Sequence, residues 1–275
     1  MTRLTLFHCS DLHFGHPAVP AQYEALEALI QEQRYDVVAI SGDLSQRARA
    51  GEFQRARVFI QRAERVSRVI VVPGNHDVAW WFAPLGLGDD MALLAKYRRY
   101  IDDDAEPVLR LPGAVVAGIN TAHGVRWSTL TWNPRDISII GHLDRVQLDR
   151  LHATFADAPP DALRVVVMHH NPMKGELSGR YGLKHSRRLL TEFASLGVDL
   201  VLCGHDHQEA VHFVEHTAKG TVISTAGTVS ARSRGGRPSS VNSITATADA
   251  IVVDTLIWSD AARGFQPGPS QRFAR

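Results

Sequence analysis

The sequence predicts an α/β chain with two packed sheets flanked by helices. Three observations carry this. Short, nearly continuous, β-branched-rich apolar runs recur along the chain. Segments of helical period separate the first of them, and after residue 208 the character turns β-rich. Apolar runs without alternation suit strands buried on both faces, as in a sheet covered by helices. A length of 275 residues buries a sizeable core, and one domain over 1–275 is the simplest account.

The elements follow in order. Leu4 to Phe7, Val37 to Ile40 and Val69 to Val72 read as strands. Between them, Ala21 to Arg34 places Tyr23, Leu26 and Ile30 at helical spacing, and Gly51 to Arg65 does the same with Phe53, Ala56, Phe59, Ile60 and Ala63. Met91 to Ile101 is a further helix. Short strands are expected around Val108 and at Ala114 to Ile119. A polar, Trp-containing loop is expected from Ala122 to Ile139, and an amphipathic helix from Leu143 to Phe155, ended by the Ala158-Pro159-Pro160 stretch. Val165 to Met168 and Val198 to Leu202 read as strands, with a helix from His185 to Leu196. Residues 208–260 form a β-rich C-terminal part, with segments at 211–214, 221–224, 241–247 and 250–258. The Ser/Arg/Gly-rich stretch Ser230 to Ser240 reads as a flexible loop. The tail from 264 to 275 is expected to be frayed.

Composition bounds the function classes. Hydrophobic content of 44% and charged content of 21% are ordinary for a globular protein. A net charge of +1 offers no long-range field for nucleic acid or an anionic membrane. Cys9 and Cys203 are no disulfide framework and read as buried free thiols. Met1 to Phe7 shows no signal-peptide pattern, and no run reaches the roughly 18 apolar residues of a membrane span. A cytoplasmic location is the expectation. Fourteen histidines are many, and several gather at the ends of apolar runs.

Each expected strand ends in ligand-type residues: Ser10-Asp11-Leu12-His13, Gly42-Asp43, Gly74-Asn75-His76-Asp77, His169-His170 and Gly204-His205-Asp206-His207. In an open α/β sheet the strand carboxyl ends share one edge, where ligands bind, so residues far apart in sequence converge. Carboxylates, an amide and imidazoles are donors for divalent transition metals. With one shared carboxylate the set fills two metal sites. Such a pair activates water and stabilises both oxygens of a phosphoryl transfer. A loop must turn Asp11 and His13 inward together, and the same holds for His205 and His207, although on a strand i and i+2 do share a face. Alone, Asp-x-His or Gly-Asp is ordinarily a surface turn, and Gly-His-x-His is a metal-free turn about as often as a ligand pair. All five in this order, each after a strand, point to a metal centre.

These motifs resemble the calcineurin-like metallophosphoesterase superfamily, over Asp11 to His207. The separations Asp11 to Asp43 and Asp43 to Asn75 are both 32 residues, one βα unit each. The resemblance implies the α-β-β-α sandwich and a phosphoric ester hydrolase with two divalent ions, manganese, iron, zinc or cobalt. Asp11, His13, Asp43 and His207 would hold one ion; Asp43, Asn75, His169 and His205 would hold the other. A metal-bound hydroxide would attack the ester. His76 would face the substrate and protonate the leaving oxygen, with Asp77 orienting it by accepting an imidazole N–H. His169, directly after its strand, is taken as the ligand over His170. His16 and His123 are candidates for the cleft wall. The other histidines are assigned no role.

The stretches 96–109, 118–121, 141–151 and 167–170 are similar to the bacterial cyclic-nucleotide and glycerophosphodiester phosphodiesterase branch. That branch usually reads His-His-Pro-Pro where this chain has His-His-Asn-Pro at 169–172, so Asn171 is expected to alter the pocket wall. The expected substrate is a small phosphodiester, with a cyclic nucleotide as one candidate. A phosphomonoesterase is the alternative, followed by a nuclease and a non-catalytic scaffold. A nucleic-acid or membrane partner is not expected. Arg232, Arg234 and Arg237 either meet a phosphate or are solvated. The Trp80-Trp81-Phe82 cluster and the 125–133 loop either form an interface, as of a homo-oligomer, or a substrate wall.

Overall fold

The computed structural model describes residues 3–79, 90–124, 140–177, 179, 181–216 and 219–275. The 80–82 cluster and the 125–133 loop lie outside them. Two six-stranded mixed sheets stack face to face. The first has the order β12-β11-β10-β1-β2-β3, from β1 (Leu4–Cys9), β2 (Val37–Ser41), β3 (Arg68–Val72), β10 (Ser240–Ala246), β11 (Ala250–Ser259) and β12 (Gly264–Ala274). The second has the order β4-β5-β6-β7-β9-β8, from β4 (Val108–Leu111), β5 (Ala114–Ile119), β6 (Leu163–His170), β7 (Leu200–Gly204), β8 (Ala210–Val214) and β9 (Thr221–Thr225).

Period-two alternation divides each central strand between two cores. Leu4 and Leu6 of β1 point between the sheets, with Val37, Ala39, Val165, Val167 and Leu202. Phe7 and Cys9 point outward under α1 (Pro20–Gln33) and α2 (Ala50–Glu64), which bury Leu26, Phe53 and Phe59 there. Val166, Met168 and Val201 point the other way, under Leu151, Phe155 and Phe193 of α5 (Arg145–Ala156) and α6 (Ser186–Ser195). The result is the expected four layers.

Helix ends follow local chemistry. Pro20 opens α1, where its missing N–H removes no bond. Asp144 and Gln147 form a reciprocal box at the start of α5: Gln147 N donates to Asp144 Oδ1 (2.9 Å), and Asp144 N donates to Gln147 Oε1 (3.0 Å). A box of this kind stabilises a helix by about 1 kcal/mol. The helix expected over 91–101 is broken at Leu94 into α3 (Asp90–Leu93) and α4 (Ala95–Tyr100).

The frayed tail is a correction. Residues 264–274 form β12, paired antiparallel with β11 through a register shift between Asp254 and Leu256. The expectation rested on the segment's place at the chain end, but Pro267 is tolerated because β12 is an edge strand. Aromatic pairing anchors both ends: Phe265 lies 5.5 Å from Trp258, and Phe273 lies 5.5 Å from Phe213 of β8. Arg275 then reaches the buried Asp199 carboxylate at 3.0 Å, across to the second sheet.

Candidate metal centre and active site

β1, β2 and β3 run parallel, as do β6 and β7, so the ends of all five point to one edge of the sandwich. There six of the seven expected ligands fall into two groups, with His170 added to the second and Asn75 standing beside it. Ligand atoms of Asp11, His13, Asp43 and His207 lie within 4.8 Å of one another, as do those of His169, His170 and His205.

The turns that gather them are unusual. Asp11, His13, Asp43, His205 and His207 all have positive φ, between 45° and 74°. Non-glycine residues avoid this region at a cost of about 1–3 kcal/mol each, and it clusters at functional sites. His205 and His207 therefore sit in a turn after β7, not on a strand. The β1 and β2 loops hold each other: Asp11 N donates to the Gly42 carbonyl (3.1 Å) and His13 N to the Asp43 carbonyl (2.9 Å). Gly74 is required by contact. A Cβ there would stand 2.2 Å from both the amide nitrogen and Oδ1 of Asp43.

Asp43 stands between the groups. Its Oδ1 lies 3.4 Å from Nε2 of His169, and its Oδ2 lies 3.7 Å from Nε2 of His13. Oδ1 also accepts from the His76 amide (2.8 Å). Asn75 Oδ1 sits 3.0 Å from Nε2 of His169 and 3.0 Å from Nδ1 of His205. His169, not His170, thus joins Asp43 and Asn75. His170 turns its Nδ1 to Thr121 Oγ1 (2.7 Å).

The residues fit divalent cations. His169 Nδ1 donates to the Ser41 carbonyl (2.8 Å) and His207 Nδ1 to the Arg232 carbonyl (2.9 Å). Each bond fixes a tautomer whose Nε2 lone pair points into the site. His207 Nε2 then faces Asp11 Oδ1 at 3.0 Å, and that buried oxygen accepts no hydrogen bond. Nε2 of His13 and His207 approach to 3.1 Å. Acceptors converging this closely call for a cation.

Charge within the site agrees. Burial would raise the Asp11 carboxyl, but the adjacent His207 imidazole outweighs it and holds the group low. For Asp43, burial is likewise outweighed, by His169 and His76. Burial pushes the imidazoles of His13 and His205 down to about 3, so they are neutral ligands near pH 7. His169 is pushed down by burial but pulled up more by Asp43, to about 9, so without a cation it carries a proton that metal binding would displace.

The expected link from Asp77 to His76 is absent. Asp77 Oδ2 accepts from the amides of Leu44 (3.0 Å) and Gly74 (2.9 Å), and Oδ1 accepts from the amide (2.7 Å) and hydroxyl (2.9 Å) of Ser45. The turn after Asn75 rotates the carboxylate inward, where it ties the β3 loop to the β2 loop. Burial and the Asp43 charge push it up to about 7, against the pull of those amides. His76 Nδ1 instead meets the Gln46 carbonyl at 2.8 Å, and its Nε2 meets the Arg232 guanidinium at 3.1 Å. The sequence carried no signal for Gln46, whose acceptor is main chain.

Other residues also find places. His16 lines a cavity beside Gln46 and Arg232. His123 is buried 6.3 Å from the His142 ring. Asn171 is buried and donates to Asp206 Oδ2 (2.8 Å), while its Oδ1 accepts from the Met173 amide (2.8 Å). It braces the His205–His207 turn, a task proline lacks the donor to perform. Both cysteines are buried and free; burial raises both thiols, that of Cys203 to about 12. Arg237 pairs with Glu176 and Glu209.

The calcineurin-like phosphoesterase family matches residues 4–209. The chain belongs to this family. Its fold is shared with solved structures of low identity. The yellow lupin purple acid phosphatase PPD1 aligns with a TM-score of 0.68 at 13% identity, covering 100% of this chain and 54% of that one. GAP50, the anchor in the inner membrane complex of Plasmodium, aligns at 0.60 and 13%, covering 100% and 89%. The protein TT1561 of Thermus thermophilus aligns at 0.55 and 16%, covering 97% and 99%. The chain spans about half the length of the lupin protein. No curated protein matches it. Family and site together support a metal-dependent phosphoester hydrolase with two divalent ions. Among the described residues, no helix is long and apolar enough to cross a membrane.

Proposed function

We propose that the chain is a phosphodiesterase acting on a small phosphodiester. The observation that carries hydrolysis is Asp43, whose two oxygens address two different groups of imidazoles. Asp11, His13, Asp43 and His207 would hold one divalent ion, and Asp43, Asn75, His169 and His205 the other. Bound there, two such ions activate water and neutralise charge developing on the phosphoryl oxygens.

The protein's own part centres on His76. The Gln46 carbonyl takes its Nδ1 proton and fixes the ring; Nε2, which faces the Arg232 guanidinium at 3.1 Å, would turn from that donor to the substrate. As an imidazolium it gives a proton to the departing oxygen. Asp77 acts at one remove, by locking the two loops that carry Asp43 and Asn75.

The diester reading rests on the resemblance of the 118–121, 141–151 and 167–170 stretches. Their convergence on one wall supports it. Thr121 bonds His170, the His142 amide donates to the Thr121 carbonyl (3.1 Å), and a Cβ on Gly141 would strike the His170 ring at 2.4 Å. The alternative is a phosphomonoesterase. A cyclic nucleotide is one candidate diester, manganese one candidate metal, and the cytoplasm the proposed location.

The test pairs a chromogenic phosphodiester with its monoester, using metal-stripped protein reloaded with manganese and Asn75→Ala beside it. Faster diester cleavage, lost in the variant, is expected. Preference for the monoester would overturn the diester reading, and no cleavage with any divalent ion would overturn hydrolysis itself.

A further inference from the structure

Beside His76 lies a cavity of about 410 Å³ lined by His16, Gln46, Arg47, Arg49, Glu52 and Arg232. Arg232 forms the wall shared with the metal centre. Its Nη1 donates to Gln46 Oε1 (3.1 Å) and lies 3.1 Å from Nε2 of His76. Its carbonyl takes the Nδ1 proton of the ligand His207, and its amide donates to Ser230 Oγ (3.3 Å). The guanidinium is thus held in place by the ligand shell and does not wave in solvent.

Arg47 and Arg49 flank Ala48, which has a φ of 48°. An alanine in this region is strained and persists only where its surroundings over-determine it. Here its amide donates to Ser45 Oγ (3.1 Å), and Lys96 Nζ donates to its carbonyl (2.9 Å). The clamped turn brings both arginines to the cavity. Glu52, the acidic member of the lining, is buried, and its Oε2 is taken by the amides of Arg47 (2.9 Å) and Arg49 (3.2 Å). Among the described residues no carboxylate pairs with the three guanidinium groups. In a chain of net charge +1 this is a local concentration of positive charge.

We propose that this cavity is an anion subsite. It receives a second negatively charged group, a phosphate or a carboxylate, carried on the part of the phosphoester that departs. The proposal rests on the reading of His76 as the donor to the leaving oxygen, because Arg232 of the cavity wall stands 3.1 Å from His76 Nε2. Guanidinium forks match the paired oxygens of either anion. The substrate class narrows to phosphoesters whose departing group is itself anionic.

The test uses metal-loaded enzyme and methyl 4-nitrophenyl phosphate, with analogues bearing a carboxylate or a phosphonate on the nitrophenyl ring. The matching monoesters replace them if only monoesters turn over. The measured quantity is the ratio of kcat/KM for charged over uncharged departing groups. That ratio is expected to fall at least tenfold in Arg47→Ala/Arg49→Ala and in Arg232→Ala, with partial recovery in Arg232→Lys. It should hold in Arg110→Ala, on the edge strand of the other sheet. A higher ratio for the phosphonate than for the carboxylate assigns the anion as phosphate; the reverse assigns a carboxylate. An unchanged ratio with good turnover of the uncharged ester overturns the subsite and leaves phosphoester hydrolysis standing. If the wild type cleaves no ester, the hydrolase reading fails. Calorimetric titration with inorganic pyrophosphate then decides the subsite: heat missing from the double variant retains it, and equal heats overturn it.

Discussion

Gly74→Ala tests how the two halves of the site are joined. The added methyl would stand 2.2 Å from the amide nitrogen and from Oδ1 of Asp43, in a backbone that has no flexible end to yield. Asp43 must retreat by at least about 1.2 Å to reach ordinary van der Waals contact, more than twice the placement tolerance of a working site. Overpacking of this kind costs about 1–3 kcal/mol. The shift also strains the charged hydrogen bond from the His76 amide, another ~1 kcal/mol or more. A total of about 3 kcal/mol lowers Tm by roughly 6–12 °C in a chain of this size. Because Asp43 faces both groups, affinity should fall for both ions, by about 100-fold or more. Calorimetry of chelator-treated protein reads the first effect, and manganese titration reads the second. Gly51→Ala is the control: nothing lies within 4 Å of its added methyl, and in α2 it should stabilise by about 0.5–1 kcal/mol. A Gly74→Ala protein that keeps its Tm and binds two ions as the wild type does would refute the packing argument.

Acid should destabilise the fold through His8. Burial pushes its imidazole down to about 3, only partly countered by Asp11. The unfolded chain, with a histidine pKa near 6.5, therefore takes up this proton first. Stability from this group is complete above about pH 6.5 and falls by about 1.4 kcal/mol per unit below it, reaching ~2 kcal/mol at pH 5. His8→Gln should flatten the difference between urea unfolding at pH 7 and at pH 5 by that amount; an unaltered slope would sink the assignment. Asp77→Asn presents an amide NH2 to groups that are all donors, leaving at least one buried donor unmet. A loss of about 1–3 kcal/mol is expected, together with a lower kcat through misplacement of the 74–77 loop. Wild-type melting and kinetics in this variant would count against Asp77 as the lock between loops.

What was legible in the sequence was whatever follows from strand ends sharing an edge. Asp11, Asp43, Asn75 and His169 each come directly after an apolar run, and the structure brings them together. What was not legible depended on direction or on the main chain. Asp77 adjoins His76 in sequence, yet the turn points its carboxylate away. Gln46 acts through its carbonyl, which leaves no mark on residue type. Arg232 is one arginine in a polar stretch, and only the meeting of residues 46, 76 and 207 gives it a place. β12 was missed because the segment was read as a chain end, and the partners that anchor Phe265 and Phe273, Trp258 and Phe213, lie elsewhere in the chain.

The spread of the ligands along the chain has a consequence for biogenesis. Asp11 and His207 meet in one candidate ion site although almost two hundred positions separate them, and Thr228 and Ser230 further brace the Asp11 loop. During synthesis, Asp11, His13, Asp43 and Asn75 emerge long before His205 and His207. No complete site exists for an ion to join until both sheets have stacked. Loading would thus be a step taken by a nearly finished protein. Which metal arrives is then decided by what the folded molecule meets, and a chain stalled short of residue 207 has no complete pair of sites to fill.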